Sequence, residues 1–173
     1  MTSGENIHNA FSVVFKTLQS IEKLMNKCRA ELDETQYYMP AERFLRYSSD
    51  LTWEGWIYWS FILLFQRRAD GPVMDNGWIS GPVYAVEINV DSDTSEVPKL
   101  YVARMDFDGM DTWSVGCSPS NHTLFYNAIH QENGAAFWGL KHVAKKVFNL
   151  TDVTQNNYKE MIFGTMERLS RQA

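Results

Sequence analysis

The sequence predicts an α+β fold with a long N-terminal amphipathic helix, an antiparallel β-meander of about four strands, and two to three C-terminal helices. Residues 4–34 repeat apolar side chains every three or four positions, as one face of a helix does. Val83–Val90, Leu100–Phe107 and Thr112–Cys117 alternate apolar and polar residues, which is typical of half-buried strands. After Pro119 the spacing becomes helical again. This order within residues 1–173 predicts a single α+β domain.

The N-terminal helix is predicted from about Gly4 to Glu34, with Ser3 as a candidate N-cap. Its apolar stripe is wider than a coiled-coil seam, which favours packing on a sheet. Pairing with a second copy, giving a homodimer through this helix, is the alternative. The stripe consists of Ile7, Phe11, Val14, Leu18, Ile21, Met25, Cys28 and Leu32.

The segment after the helix predicts a short second helix from Pro40 through Arg46, because proline suits the first helical position. Trp56–Gln66 then predicts a long strand that is apolar on both faces and therefore central in the sheet. A buried helix is the competing interpretation, since periodicity alone does not separate the two. Arg67–Pro82 is rich in Gly, Pro, Asp and Asn and predicts a long connection.

The meander is expected to have one buried face and one polar face. This division leaves a few possible registers, and in one of them Glu87 stands opposite Arg104 as a favourable cross-strand ion pair. The expected buried residues are Tyr84, Val86, Ile88, Val90, Tyr101, Ala103, Met105, Phe107, Trp113, Val115 and Cys117. The polar face, expected to meet solvent or a partner, carries Glu87, Asn89, Arg104, Asp106, Thr112 and Ser114.

Three helical segments are predicted in the C-terminal part of the chain. Ser120 or Asn121 would cap a helix that reaches Gln131. A second helix is predicted over Ala135–Phe148 and a last one around Gln155–Ser170.

Composition excludes several classes of protein. A net charge of −5 disfavours nucleic-acid binding, which depends on Lys and Arg meeting phosphates. Two cysteines without a CxxC motif and an N-terminus without a basic start and apolar run indicate a cytoplasmic protein. The longest apolar stretch, Trp56–Phe65, is about half of what a bilayer crossing needs. We therefore expect no membrane association.

No residue pattern predicts a metal, a cofactor or a catalytic centre. The four histidines include no HExxH motif, although His122 and His130, eight apart, would share a helical face. Glu87 and Asp106 would share a sheet face, so a magnesium-dependent nuclease is a weaker alternative. We expect neither cofactor nor metal, and the sequence favours a non-enzymatic protein.

The sequence favours a non-catalytic protein-binding module, such as an inhibitor, immunity-type protein, chaperone or adaptor. Aromatic residues make up 14% of the chain, and aromatic side chains are common at interfaces. The alternative is a small-molecule-binding or enzymatic domain with an aromatic-lined pocket. Trp78, flanked by Gly77 in a loop, is expected to anchor a partner or close a pocket, unless it folds back into the core. The predicted binding residues are Trp78, Arg104, Asp106, Glu87, Trp56 and Tyr58.

Overall fold

The computed structural model confirms the α+β class and contains more strands than predicted. It describes residues 2–40, 44–46, 57–90, 97–108, 122–130 and 139–172. The chain divides into two compact units, Met1–Thr35 and Gln36–Ala173. The helices are α1 (Ser3–Ala30), α2 (His122–His130) and α3 (Thr165–Ser170), and the strands are β1 (Tyr37–Tyr38), β2 (Leu45–Arg46), β3 (Ser60–Arg67), β4 (Val83–Asn89), β5 (Lys99–Phe107) and β6 (Leu140–Asn149).

Helix α1 forms the first unit together with a short 3-10 turn at Leu32–Glu34. Its N-cap is Thr2 rather than the predicted Ser3. The Thr2 side chain accepts a hydrogen bond from the Glu5 backbone N–H, and the Glu5 carboxylate accepts one from the Thr2 N–H. This reciprocal capping box satisfies two backbone donors that a helix start otherwise leaves open.

The second unit is built on an antiparallel sheet in the order β1-β3-β4-β5-β6, with β2 also paired to β3. The prediction of a central strand in Trp56–Gln66 is confirmed from Ser60 onward, and seven of the eight residues of β3 are buried. β4 is buried throughout. These strands therefore have both faces inside the protein, as their continuous apolar runs predict.

The predicted division of the meander into a buried and a polar face is wrong. In the observed register Glu87 pairs with Tyr101, whereas Arg104 pairs with Tyr84. Glu87 and Arg104 therefore lie on opposite faces of the sheet, and the predicted ion pair between them does not form. A register displaced by one residue exchanges the two faces of a strand. Both faces of β4 are covered by other parts of the protein. The alternation of apolar and polar residues along the strand therefore does not indicate a solvent-exposed face.

Strands lie within two of the segments that were predicted to be helical. Leu45–Arg46, within the predicted second helix, pairs with Ile62 and Phe61 of β3. Leu140–Asn149, within the predicted helix Ala135–Phe148, is β6 and pairs along β5 from Lys99 to Phe107. The hydrogen bonds of this long pairing outweigh the helical spacing of the apolar residues.

The other C-terminal predictions are confirmed in part. Helix α2 lies within the predicted segment that ends at Gln131. The last helix contains a π-helical segment, Glu160–Gly164, that continues into α3. The predicted strand Thr112–Cys117 and the predicted binding residue Trp56 lie outside the described residues. None of the helices that the structure describes is long and apolar enough to cross a membrane.

Each face of the sheet packs against helical chain. Phe65 of β3 meets Phe163 of the C-terminal helical segment with ring centroids 5.9 Å apart. The core on the other face includes α2 and is centred on Leu45, Ile62, Leu64, Trp78, Val83, Ala85, Ala103, Met105, Leu124, Phe125, Ala128, Ile129 and Leu140.

Trp78 lies in this core with 2% of its surface exposed, so its predicted exposure as a loop anchor is wrong. Gln66 explains why. Its side-chain amide donates to the Ile79 carbonyl over 2.9 Å, and its carbonyl accepts from the Ile79 N–H over 2.8 Å. This paired contact fixes the loop to β3 and brings Trp78 inward.

We expect Trp78→Ala to lower the free energy of unfolding by about 3–5 kcal/mol, because it removes a large side chain from a packed core. Urea denaturation measures this. Val73→Ala is the control in the same loop, since Val73 is 70% exposed. It should change the stability by less than about 0.5 kcal/mol. Equal effects of the two substitutions would contradict the core position of Trp78.

Candidate functional site

A group of polar side chains is buried between the sheet and α2. It consists of Ser60 on β3, Glu87 and Asn89 on β4, and His122 and His130 on α2, and we call it the Glu87 cluster. Ser60 and Glu87 are 0% exposed. A buried carboxylate costs free energy unless hydrogen bonds and a counter-charge compensate it. Four of the seven buried polar or charged residues that the structure describes belong to this cluster, namely Ser60, Glu87, Asn89 and His122.

Hydrogen bonds join the cluster into one chain. The Ser60 hydroxyl donates to Glu87 Oε1 over 2.7 Å, and His130 Nε2 lies 2.8 Å from Glu87 Oε2. His122 Nε2 lies 2.9 Å from Ser60 Oγ. Because serine has a single hydroxyl proton and gives it to the carboxylate, His122 fills the role of donor to Ser60. Asn89 adds a longer contact of 3.4 Å to Glu87 Oε1.

The histidines reach the cluster because they lie on one face of α2. His122, Tyr126 and His130 are four residues apart, which places them above one another on the helix. The His122 and Tyr126 rings stack with centroids 5.6 Å apart, and those of Tyr126 and His130 are 4.3 Å apart. Trp59 meets Tyr126 edge-on at 5.2 Å, and Tyr101 meets His130 at 4.6 Å. Aromatic rings thus surround the polar chain.

Burial changes the proton affinity of His122. Loss of solvent, and then the charge of His130, lower the pKa of the His122 imidazole to about 4. His122 is therefore neutral at physiological pH, which agrees with its role as a donor of a single Nε2–H.

Arg104 and Asp106, predicted to face a partner, instead bind within the protein on the other face of the sheet. Arg104 Nη2 lies 2.9 Å from Asp106 Oδ1. Arg104 Nη1 donates to the carbonyls of Leu169 and Ser170, each over 3.2 Å. A cation that binds the last carbonyls of a helix stabilises that end. Arg104 therefore holds the end of α3.

The predicted nuclease carboxylates are not brought together. Glu87 and Asp106 lie on opposite faces, because Asp106 shares the face of Arg104. Among the described residues no group of three His, Cys, Asp or Glu side chains is arranged to hold a metal ion. Tyr58, another predicted binding residue, is half-buried with the Arg46 guanidinium 4.2 Å from its ring centroid.

Sequence reasoning missed Ser60, and it placed His122 and His130 on one helical face without assigning them a function. The eight-residue spacing of the histidines with Tyr126 midway was visible in the sequence and correctly indicated a shared helical face. What it lacked was the position of α2 over Ser60 and Glu87, which depends on long-range packing.

A second feature is an exposed apolar surface on the first half of α1. Ile7 is 59% exposed, Phe11 52%, Val13 64% and Phe15 60%. The rings of Phe11 and Phe15 contact each other at 6.2 Å. We call these four residues the N-terminal apolar face. Further along the helix Ile21, Met25 and Cys28 are buried.

Comparison of the chain with protein-family models, with curated proteins and with solved structures found no match.

The lowered pKa of His122 predicts a loss of stability in acid. A histidine whose pKa is lower in the folded state contributes stability that is complete above its unfolded value, about 6.5, and is lost as the pH falls towards 4. Wild-type unfolding free energy should therefore fall between pH 6.5 and 4.5, and His122→Gln should remove about 1–2 kcal/mol of that fall.

Denaturant melts across this pH range measure the effect. His142→Gln is the control, since His142 is exposed on β6. His142→Gln should show the same dependence of the unfolding free energy on pH as the wild type. If His122→Gln also leaves this pH dependence unchanged, the pKa of His122 is not lowered by its burial.

Proposed function

We propose that the protein is a non-catalytic protein-binding module and that the N-terminal apolar face of α1 is its binding surface. The supporting observation is that four large apolar side chains in a nine-residue span are each more than half exposed. Soluble proteins rarely leave such residues together at the surface, and contiguous apolar patches commonly mark interaction sites.

The angular width of this surface indicates the kind of partner. At about 100° per residue, the arc from Val13 through Ile7 to Phe15 covers about 200° of the helix. The seam of a two-stranded coiled coil is narrower and leaves Val13 outside it. An amphipathic helix laid into an apolar groove is enclosed over a wider arc.

The area that the N-terminal apolar face can bury bears on the choice between a homodimer and a groove. Side chains of this size, half exposed, offer roughly 100 Å² each, so two copies pairing through them would bury roughly 800 Å² in total. Stable interfaces bury roughly 1,200 Å² or more. A groove that encloses a wide arc of the helix also covers the side chains between these four and so buries more area. We therefore commit to an apolar groove on another protein as the occupant, and treat a homodimer as the competing outcome.

The charge of α1 supports an apolar contact. Between Asn6 and Gln19 the only lysine, arginine, aspartate or glutamate is Lys16. Binding by this half of the helix therefore relies on buried apolar area rather than on ion pairs. Within this proposal the protein is an inhibitor, an immunity-type protein, a chaperone or an adaptor. In this proposal the protein acts in the cytoplasm.

The aromatic-pocket alternative has less support. Two of its expected wall residues are engaged elsewhere, because Trp78 is packed in the core and the Tyr58 ring is covered by Arg46. Trp56 lies outside the described residues.

We expect Phe11→Glu combined with Phe15→Glu to weaken partner binding at least tenfold, or about 1.4 kcal/mol, because it places two charges in the apolar contact. The full-length tagged chain would be used to identify the partner, and the affinity would then be measured with both proteins purified. Gln19→Glu is the matched control, since it adds a negative charge to α1 at an exposed position outside the arc.

Sedimentation of the purified wild type separates the two possible occupants. A monomer whose partner affinity depends on Phe11 and Phe15 supports the proposal. A dimer that the double substitution dissociates would replace the groove by a second copy. Partner binding that is unchanged by the double substitution would reject the N-terminal apolar face as the binding surface.

A further inference from the structure

The contact between Glu87 and His130 connects the end of α2 to the centre of the sheet and is independent of the proposed binding surface. His130 is the last residue of α2, and its Nε2 lies 2.8 Å from Glu87 Oε2. The Glu87 side chain is 0% exposed, whereas that of His130 is 24% exposed. The Glu87 carboxylate is thus buried, whereas the His130 imidazole remains accessible to solvent.

We propose that Glu87 and His130 form a proton-dependent latch, which holds the end of α2 on the sheet when His130 is protonated and loosens when His130 is neutral. An imidazole changes its charge in the physiological pH range. A buried carboxylate that loses its counter-charge becomes costly to keep buried. The charge of His130 therefore sets the strength of the attachment.

The groups that face Glu87 determine whether another cation can replace His130. Asn89, Ser60 and Tyr101 are neutral hydrogen-bonding groups. The titratable side chains that share this face of the sheet or lie on α2 include Lys99, Tyr101, His122, Tyr126, His130 and Lys145, and the neutral polar side chains include Ser60 and Asn89.

The two lysines on this face are directed elsewhere. Lys145 Nζ donates to the Ile129 carbonyl over 2.8 Å, and Lys99 Nζ donates to the Asn149 side chain over 2.8 Å. Arg104 lies on the other face of the sheet with Asp106. Among the described residues, His130 is the cation in contact with Glu87.

His122 does not take over the charge of His130. Its hydrogen bond to Ser60 links it to Glu87 indirectly, and its burial favours the neutral form. Two imidazolium ions this close would also repel each other. Of the two histidines, His130 is therefore the one that contacts Glu87 directly and remains accessible to solvent.

Loosening of the latch should be visible locally. The apolar residues Leu124, Phe125, Ala128 and Ile129 attach α2 to the core at any pH. The latch adds a contact at the last turn, where Tyr101 and Tyr126 pack against the His130 ring. We therefore expect local opening at the end of α2 rather than global unfolding.

Amide hydrogen exchange of the full chain at pH 5.5 and 8.5, corrected for intrinsic rates, tests the proposal. Protection of amides 126–130 in the wild type should fall at least tenfold at pH 8.5 relative to amides 84–88 of β4. Glu87→Gln should abolish that dependence, because it removes the charge and keeps a similar shape. His142→Gln, which changes the exposed histidine beside Asp106, should leave it as in the wild type.

The proposal is overturned if wild-type protection of these amides does not depend on pH, or if Glu87→Gln retains the dependence. Should Glu87→Gln fail to fold, His130→Gln is measured in the same way and must lose the dependence. Carbon-13 NMR of the wild type needs no substitution. The Glu87 carboxyl signal should respond to the same pH transition as the His130 ring, and independent transitions would rule the latch out.

Discussion

The central strands β3 and β4 are buried on both faces, and this constraint determines what each polar side chain of the sheet must do. A charge on a covered face has to find its partner within the protein. Glu87 meets Ser60 and His130 beneath α2. On the other face, Arg104 of the neighbouring strand β5 meets Asp106 and the end of α3. Glu87 and Arg104, which were predicted to face solvent or a partner, are thus residues that attach α2 and α3 to the sheet.

The same constraint explains which parts of the fold were predictable. The run in β3 is apolar in both directions, so its central position followed from the sequence without knowledge of its neighbours. The faces of β4 and β5 did not follow, because alternation defines two sets of residues but not which set lies on which side. β6 has apolar spacing compatible with a helix, and only its pairing with β5 identifies it as a strand.

The candidate site could be predicted from the sequence only to a similar extent. The shared helical face of His122 and His130 was predictable from local geometry, since helical spacing is fixed. Their contact with Ser60 and Glu87 joins residues from 43 to 62 positions apart in the chain. Trp78 likewise depends on Gln66, a single polar residue that binds Ile79. Local sequence patterns carry no information on such long-range contacts. These contacts nevertheless determine the chemistry of the site.

The charged attachments on the two faces of the sheet differ in how they respond to protons. Arg104 remains protonated at any physiological pH, so its hold on the carbonyls of Leu169 and Ser170 is permanent. Glu87 instead contacts an imidazole, the kind of side chain whose charge depends on pH in the physiological range. The sheet therefore fixes the C-terminal helix with a constant charge and the end of α2 with a variable one. Of the two helices, α2 is the one whose attachment can respond to the chemical environment while the sheet and α3 stay in place.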